Sequence, residues 1–415
     1  MAPLAQPQTQ RHRRARPWLI LLISTLAQSA SAVAIASGAF LIPALSDPAG
    51  EYRLSLAAAG TIAAMTTAGL MLTLVLWGTL VDRAGERITL LLGLGTGCVT
   101  MFLPLTYRAI TGDGIEHAGP TVLAAILLAG GMAAGSSNAA SGRLVIGWFP
   151  ANRRGTAMGF RQMAQPLGVA AAAVSIPVIA QHQGVAAALA VPATFALLAV
   201  IATALFVIDP PRPAVTAPEF TTLRQHPYSR STGLLRVHLV AVLLVIPQFT
   251  IWSFSLVWLM SERHWTAFAA GMFVGCIQVL GAAGRLAAGA LSDRIGSRTK
   301  PIRIIAVLAA ITMGGLALAD LHDLTLAIVL LAAAGVITVA DNGVAFTAAA
   351  EIAGPFWGGR VLSIHNTAQN AVAAAVPPVF GAAITGLGFP ATFAIAAAFA
   401  VLAAPVVPPS IGTRS

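Results

Sequence analysis

Residues Gly78 to Arg87 read G-T-L-V-D-R-A-G-E-R, and residues Gly289 to Arg298 read G-A-L-S-D-R-I-G-S-R. Gly, Leu, Asp, Arg, Gly and Arg recur at the same offsets, 211 residues apart. The register continues upstream: Ser55 stands against Thr266, and Ala58, Ala59 and Gly60 against Ala269, Ala270 and Gly271. A register held over more than 30 residues marks a duplicated unit, so the chain reads as two homologous halves. Each copy lies between two long apolar stretches, as a short charged turn between hydrophobic helices.

Composition identifies the solvent. Hydrophobic residues make up 57% of the 415, charged residues 9%, and mean hydropathy is +0.83. A soluble domain carries about 25% charged residues, so most of the outer surface here must face lipid. Backbone polar groups in lipid are satisfied only within helices or a closed barrel. The apolar runs are of helix-spanning length and lack the short alternation of barrel strands. The expected fold is all-α, with twelve transmembrane helices in two pseudo-symmetric six-helix bundles. The spans are placed at 18–45, 54–80, 87–107, 121–148, 155–181, 185–208, 236–259, 266–291, 302–319, 324–349, 360–386 and 389–409. The expected organisation is a basic N-terminus (1–17), a first bundle (18–208), a proline-rich linker (209–235), a second bundle (236–409) and a short tail (410–415).

Basic residues set the orientation. Eighteen lie in the N-terminal run, the turns after even-numbered spans, the linker and the tail; only Arg53, Arg108 and Arg263 lie on the other side. Both termini and the linker are therefore expected in the cytoplasm. This bias accounts for the net charge of +10, and no nucleic-acid partner is called for. One Lys against 23 Arg fits a GC-rich bacterial genome, hence a bacterial inner membrane. The Arg-rich start is like a signal-peptide n-region, but eleven further spans follow the first, and no cleavage is expected. Cys98 and Cys276 fall inside spans and are expected to be buried small residues, not a disulfide.

Twelve spans, two halves and G-x-L-x-D-R-x-G-x-R after spans 2 and 8 closely resemble the major facilitator superfamily of transporters, across nearly the whole chain. The resemblance implies a monomeric carrier of a small solute that works by alternating access in the bilayer. It also implies that Gly78, Asp82, Arg83, Gly85 and Arg87, with Gly289, Asp293, Arg294, Gly296 and Arg298, form a conformational latch at the cytoplasmic interface. Physically, a carboxylate beside Arg and a helix end makes a charge-assisted contact that can break and reform. The plainer reading is an ordinary turn under the positive-inside bias.

A second repeat, at offset 204, aligns Arg161 with His365, Gln162 with Asn366, Gln165 with Gln369, and Asn138 with Asn342. Polar clusters in lipid-spanning helices face a cavity or a partner helix. Arg161 and Gln165 share a face at i, i+4, as do His365 and Gln369. Arg285 has Leu74 as its counterpart, so duplication does not account for it; Gln278 lies seven residues earlier on the same face. The family's carboxylate carriers use Arg in similar places. A structural pairing of Arg285 with Asp341 is the alternative. Asp341 is the only acidic residue well inside a span and the first candidate for proton coupling; His365 is the second. In spans 1 and 7, Ser24, Gln28 and Ser31, and Gln248, Trp252 and Ser255, repeat at i, i+4, i+7 and suit either cavity lining or helix contact.

Three Arg against one Asp inside the spans predict a positive cavity and an anionic solute, a carboxylate or phosphorylated metabolite. The candidate binding set is Arg161, Arg285, Gln165, Gln278, His365, Asn366, Gln369, Gln28, Gln248 and Trp252, with Arg161 and Arg285 clamping the anion from opposite halves. No cofactor or metal is called for; the proton gradient is the candidate energy source. The drug-antiporter signature G-P-x-x-G-G is only partly present, at Gln165-Pro166-Leu167-Gly168. Efflux antiport and a non-transporting sensor of the same fold are the alternatives. No H-E-x-x-H, G-x-S-x-G or phosphate-binding loop is present, so an enzyme is not expected.

Overall fold

The computed structural model describes residues 8–149, 157, 160–161, 163–210, 228, 232–353 and 358–409. The first residues of span 5, most of the linker and the tail lie outside the described residues, as do the side chains of the basic N-terminal run through Arg14, of Asp82 and of Asp293.

All regular structure among the described residues is helical. The first half contains α1 (Gln8–Ser46), α2 (Leu56–Ala84), α3 (Glu86–Thr111), α4 (Pro120–Trp148), α5 (Ala164–Gln183), α6 (Val185–Ala188) and α7 (Ala190–Phe206). The second contains α8 (Gly233–Ser261), α9 (Ala267–Ile295), α10 (Thr299–Leu321), α11 (Leu326–Ile337), α12 (Asp341–Ala353) and α13 (Gly358–Val406). Among the described residues, eleven stretches are long and apolar enough to cross a membrane, and the last covers 43 residues. That stretch would be about 65 Å as one helix, twice a bilayer core. It is broken at Gly388, whose φ of 82° favours glycine, and so supplies spans 11 and 12. Gly184, 204 residues earlier, has φ 86° and separates spans 5 and 6 in the same way.

The duplication is visible in local chemistry. Ser55 Oγ accepts from Ala58 N–H at 3.3 Å, and Thr266 Oγ1 from Ala269 N–H at 3.3 Å, so both copies cap spans 2 and 8 alike. Five residues beyond each cap, Gly60 abuts the Pro377 carbonyl of α13 and Gly271 the Ala173 carbonyl of α5. A Cβ at either place would overlap backbone, so glycine permits the two halves to touch.

These contacts lie at the face opposite the linker. There, one apolar core draws on both halves, with Phe40, Leu41 and Ile176 from the first and Phe254, Trp258 and Phe393 from the second. Nearer the linker the cores separate, one around Ile20, Leu90 and Leu144, the other around Leu234, Ala306 and Val361. Among the described residues the halves thus share a core at the opposite face, and no shared core joins them near the linker face. On the shared-core face Arg263 stacks over Trp258 at 4.8 Å and is paired with Asp320 at 2.9 Å and with Asp323.

Two expectations are corrected. Span 10 is two helices, α11 and α12, divided at Thr338–Ala340. Thr338 Oγ1 takes the Ala334 carbonyl at 2.7 Å and Ala340 N–H closes a tight turn on Ile337, so the regular ladder stops. Cys276 is exposed on α9 and Cys98 is half-buried. An apolar outer surface accepts a thiol as readily as a core does, because lipid is no more polar than the interior.

Candidate functional site

Between the halves, where the shared core gives out, lies a narrow pocket lined from both of them. Among the described residues of the first half, only α5 contributes, through Gln165, Pro166 and Val169. From the second come Gln248, Ile251 and Trp252 on α8, Gln278 and Arg285 on α9, Gly335 in the last turn of α11, and Thr338 and Val339 at the break that follows. Seven residues bring Gln278 and Arg285 to one face of α9 after two turns. Gln248 and Trp252 share a face of α8 by their i, i+4 spacing.

Arg285 is the cavity's cation. Its Nη1 reaches across the halves to donate to Gln165 Oε1 at 3.4 Å, and its Nε is buried with no hydrogen-bond partner. The Trp252 indole nitrogen is likewise buried and unbonded. Behind the cavity, Asp341 is 2% exposed. It opens α12, where the helix N-terminus favours negative charge. Arg285 and Asp341 feel each other's charge but form no ion pair, and Asp341 Oδ1 has no hydrogen-bond partner. The structural pairing of these two residues is therefore not found.

Five of the sequence candidates, Gln165, Gln248, Trp252, Gln278 and Arg285, thus meet in one cavity. Others do not line it. Arg161 is 7% exposed and engaged within its own half: Nε donates to Ser141 Oγ at 2.9 Å and Nη2 to Gln28 Oε1 at 3.1 Å. Gln28 in turn donates to Asn138 Oδ1 at 2.8 Å. The second half repeats that amide pair, with Asn342 Nδ2 donating to Gln248 Oε1 at 3.3 Å. His365 is fully buried with its Nδ1 2.8 Å from that of His238. Asn366 takes the Asn370 side chain at 3.0 Å, and Gln369 is 7% exposed with Nε2 unbonded. Arg161 and His365, partners in the repeat, therefore each tie their helix to their own half.

Two polar residues in these contacts, Thr338 and His238, were not marked by the sequence. Thr338 lines the cavity because the helix breaks there, and the only signal is the β-branched run Val336 to Val339 beside Gly335. His238 is a lone histidine near the start of span 7, with nothing local to mark its partner.

The turn motifs sit at the linker face. Arg87 N–H donates to Asp209 Oδ1 at 2.7 Å and its Nη2 to the Ala204 carbonyl at 2.7 Å, so this Arg grips the end of α7. In the second copy Arg298 binds Glu351 at 2.9 Å and Ser292 Oγ at 3.0 Å. Arg83 and Arg294 are exposed, and no described side chain lies near Gly78 or Gly289. Arg143 on α4 is half-exposed and pairs with Glu86 at 3.3 Å.

Comparison with known proteins agrees with this architecture. The family described as Major Facilitator Superfamily matches residues 18–377. An uncharacterised MFS-type transporter of Mycobacterium tuberculosis strain ATCC 25618 / H37Rv is 40% identical over 403 residues, covering 96% of this chain and 87% of that protein. Among solved structures, a partially occluded inward-open form of the xylose transporter XylE from E. coli superposes with a TM-score of 0.75 at 17% identity, covering 97% of this chain and 100% of that one. An inward-facing, unoccupied bacterial homologue of the human lysosomal transporter Spinster gives 0.73 at 14% identity, with 97% of each chain covered. Duplicated six-helix halves, a cavity at their junction and a family match across most of the sequence have one reading: the chain is a multi-pass membrane transporter and belongs to the Major Facilitator Superfamily.

Proposed function

We propose that the solute is a small organic anion, bound in the cavity between the halves by Arg285. The observation that carries this reading is the state of Arg285 itself. Its guanidinium lies at the junction of the halves, its contact to Gln165 is long and to a neutral amide, and its Nε has no partner. A carboxylate or phosphate entering there would take the planar fork in place of the amide. Gln248, Gln278 and Trp252 supply further donors. Because Gln165 belongs to one half and Arg285 to the other, an anion held by both favours a state in which the halves are drawn together, which couples binding to access.

The carrier acts as a monomer in a bacterial inner membrane with both termini in the cytoplasm, and the turn motifs latch the linker face in the alternate state. Asp341 serves as the proton site: a carboxylate buried beside Arg285 senses whether the arginine is occupied by an anion.

A thermal-shift screen of the purified chain against mono- and dicarboxylates, sugar phosphates and neutral pentoses tests the assignment, since a ligand of the folded state raises the melting temperature. An anion should raise it in the parent and not in Arg285→Ala. A shift that survives in Arg285→Ala removes Arg285 from the site. A second reading, a neutral polyhydroxyl solute, is favoured by the three glutamines and one indole that outnumber the single cation in the lining. Stabilisation by a pentose alone would select it.

A further inference from the structure

In the second half, α8 and α13 meet through a chain of side chains that the cavity does not use. His238, 8% exposed, faces His365, 0% exposed, with their Nδ1 atoms 2.8 Å apart. On the linker side, the Tyr228 hydroxyl lies 3.0 Å from His238 Nε2. At the inner end Phe346 presents its ring edge-on to His365 at 4.7 Å, and His365 Nε2 is buried with no hydrogen-bond partner.

Two ring nitrogens at this distance bond only if one carries the proton and the other offers its lone pair. A neutral imidazole has one N–H, so this single bond fixes the rest of the chain. In one polarity the Tyr228 hydroxyl donates to His238 Nε2, His238 Nδ1 donates to His365 Nδ1, and the proton of His365 sits on Nε2. In the other, His365 Nδ1 donates to His238 Nδ1, His238 Nε2 donates to the Tyr228 oxygen, and His365 Nε2 is bare. We propose that Tyr228, His238 and His365 form a proton-transfer path from the linker face into the second half. A proton taken up at the bare His365 Nε2 is balanced by transfer of the Nδ1 proton to His238. The Nε2 proton of His238 then passes to the Tyr228 oxygen, which releases its own to water. One proton enters, one leaves, and only N–H and O–H bonds are exchanged.

The surroundings favour passage over retention. On α8, Arg236 is committed to the carbonyls of Pro405, Val406 and Val407, and on α10 Arg303 to that of Val407. On α9, Arg285 contacts Gln165. On α12, Glu351 is held by Arg298, and Asp341 makes no hydrogen bond to either imidazole. No described carboxylate is hydrogen-bonded to the pair, so an imidazolium has no counter-charge in contact to hold it. The path involves neither Arg285 nor a solute, so it stands or falls apart from the anion assignment.

Nitrogen-15 NMR of the full chain, labelled at histidine and held in lipid nanodiscs, tests it without a solute. The parent should show coupling between the two Nδ1 nuclei through one shared proton. His365→Gln, similar in size and still able to hydrogen-bond, should abolish that coupling and leave a single imidazole resonance pair, that of His238, at this site. Tyr228→Phe leaves both rings in place; it should retain the coupling yet slow exchange of the His365 ring proton with water by about a hundredfold or more. Two uncoupled, independently titrating imidazoles in the parent would overturn the pair. Unchanged exchange in Tyr228→Phe would overturn the path and leave a structural bond between helices.

Discussion

Arg161 and Arg285 read alike in the sequence, each an arginine in an apolar span, and the fold gives them different tasks. Arg285 looks across the junction with a partly unengaged guanidinium; Arg161 is buried among Ser141, Gln28 and the rest of its half. Their substitutions should differ accordingly. Arg285→Lys keeps the charge and loses the fork, and should weaken anion binding by about tenfold; Arg285→Ala should weaken it by about a hundredfold, from the usual 1.5–3 kcal/mol of a charge-assisted bond. Neither should lower the melting temperature of the ligand-free protein much, and titration calorimetry beside a thermal melt checks both. Arg161→Ala should instead destabilise the ligand-free protein by about 1–3 kcal/mol, because Gln28 and Ser141 lose a buried donor. An Arg161→Ala protein that melts like the parent but no longer binds would restore the two-arginine clamp. Asp341→Asn should remove the pH dependence of uptake while solute exchange continues, measured in proteoliposomes with and without a pH gradient.

Among elements, the caps and glycines of α2 and α9 show how duplication becomes geometry. Ser55 and Thr266 start equivalent helices, and Gly60 and Gly271 bring each of them against the other half. This was half legible: the matching register announced equivalent helices, but nothing local said that these glycines face the partner half. Gly60→Val should prop the halves apart at the shared-core face, since its side chain would overlap the Pro377 carbonyl. The readout is modification of Ala39→Cys, which lines the space between the halves beside Thr66 and Trp252, in a Cys98→Ser, Cys276→Ser background. A thiol reagent added from that face should react several-fold faster when Gly60→Val is present, and an equal rate would show that closure does not depend on this approach. The break in span 10 left only a faint trace in the sequence, the β-branched run Val336 to Val339 beside Gly335. Apolar periodicity runs through Thr338, and the hydroxyl's turn toward the Ala334 carbonyl is one of several bonds available to it.

For the whole molecule, one core shared by both halves at one face, and separate cores at the other, distinguish the two faces. We propose, from the placement of the basic residues, that the linker face lies in the cytoplasm. Single cysteines at Thr222 in the linker and Gly114 between spans 3 and 4 should therefore label from opposite sides of intact cells, with Gly114 reached from outside. Labelling of both from outside would invalidate the twelve-span topology. By itself the sequence determined the solvent, the helical class, the two halves and the family resemblance. Each of these follows from periodicity, composition or a repeated register, which are properties of neighbours along the chain. It also named the polar residues that a lipid-spanning helix would not carry idly. Which of them meet was decided only by tertiary structure. A helix displays its residues around a full turn, and the side facing a cavity is chosen by how that helix packs on the others. Packing sent Gln165, Gln248, Gln278 and Arg285 to the junction and kept Arg161 inside its half. It also set His365 against His238, a residue 127 positions away that no pattern in the sequence had joined to it.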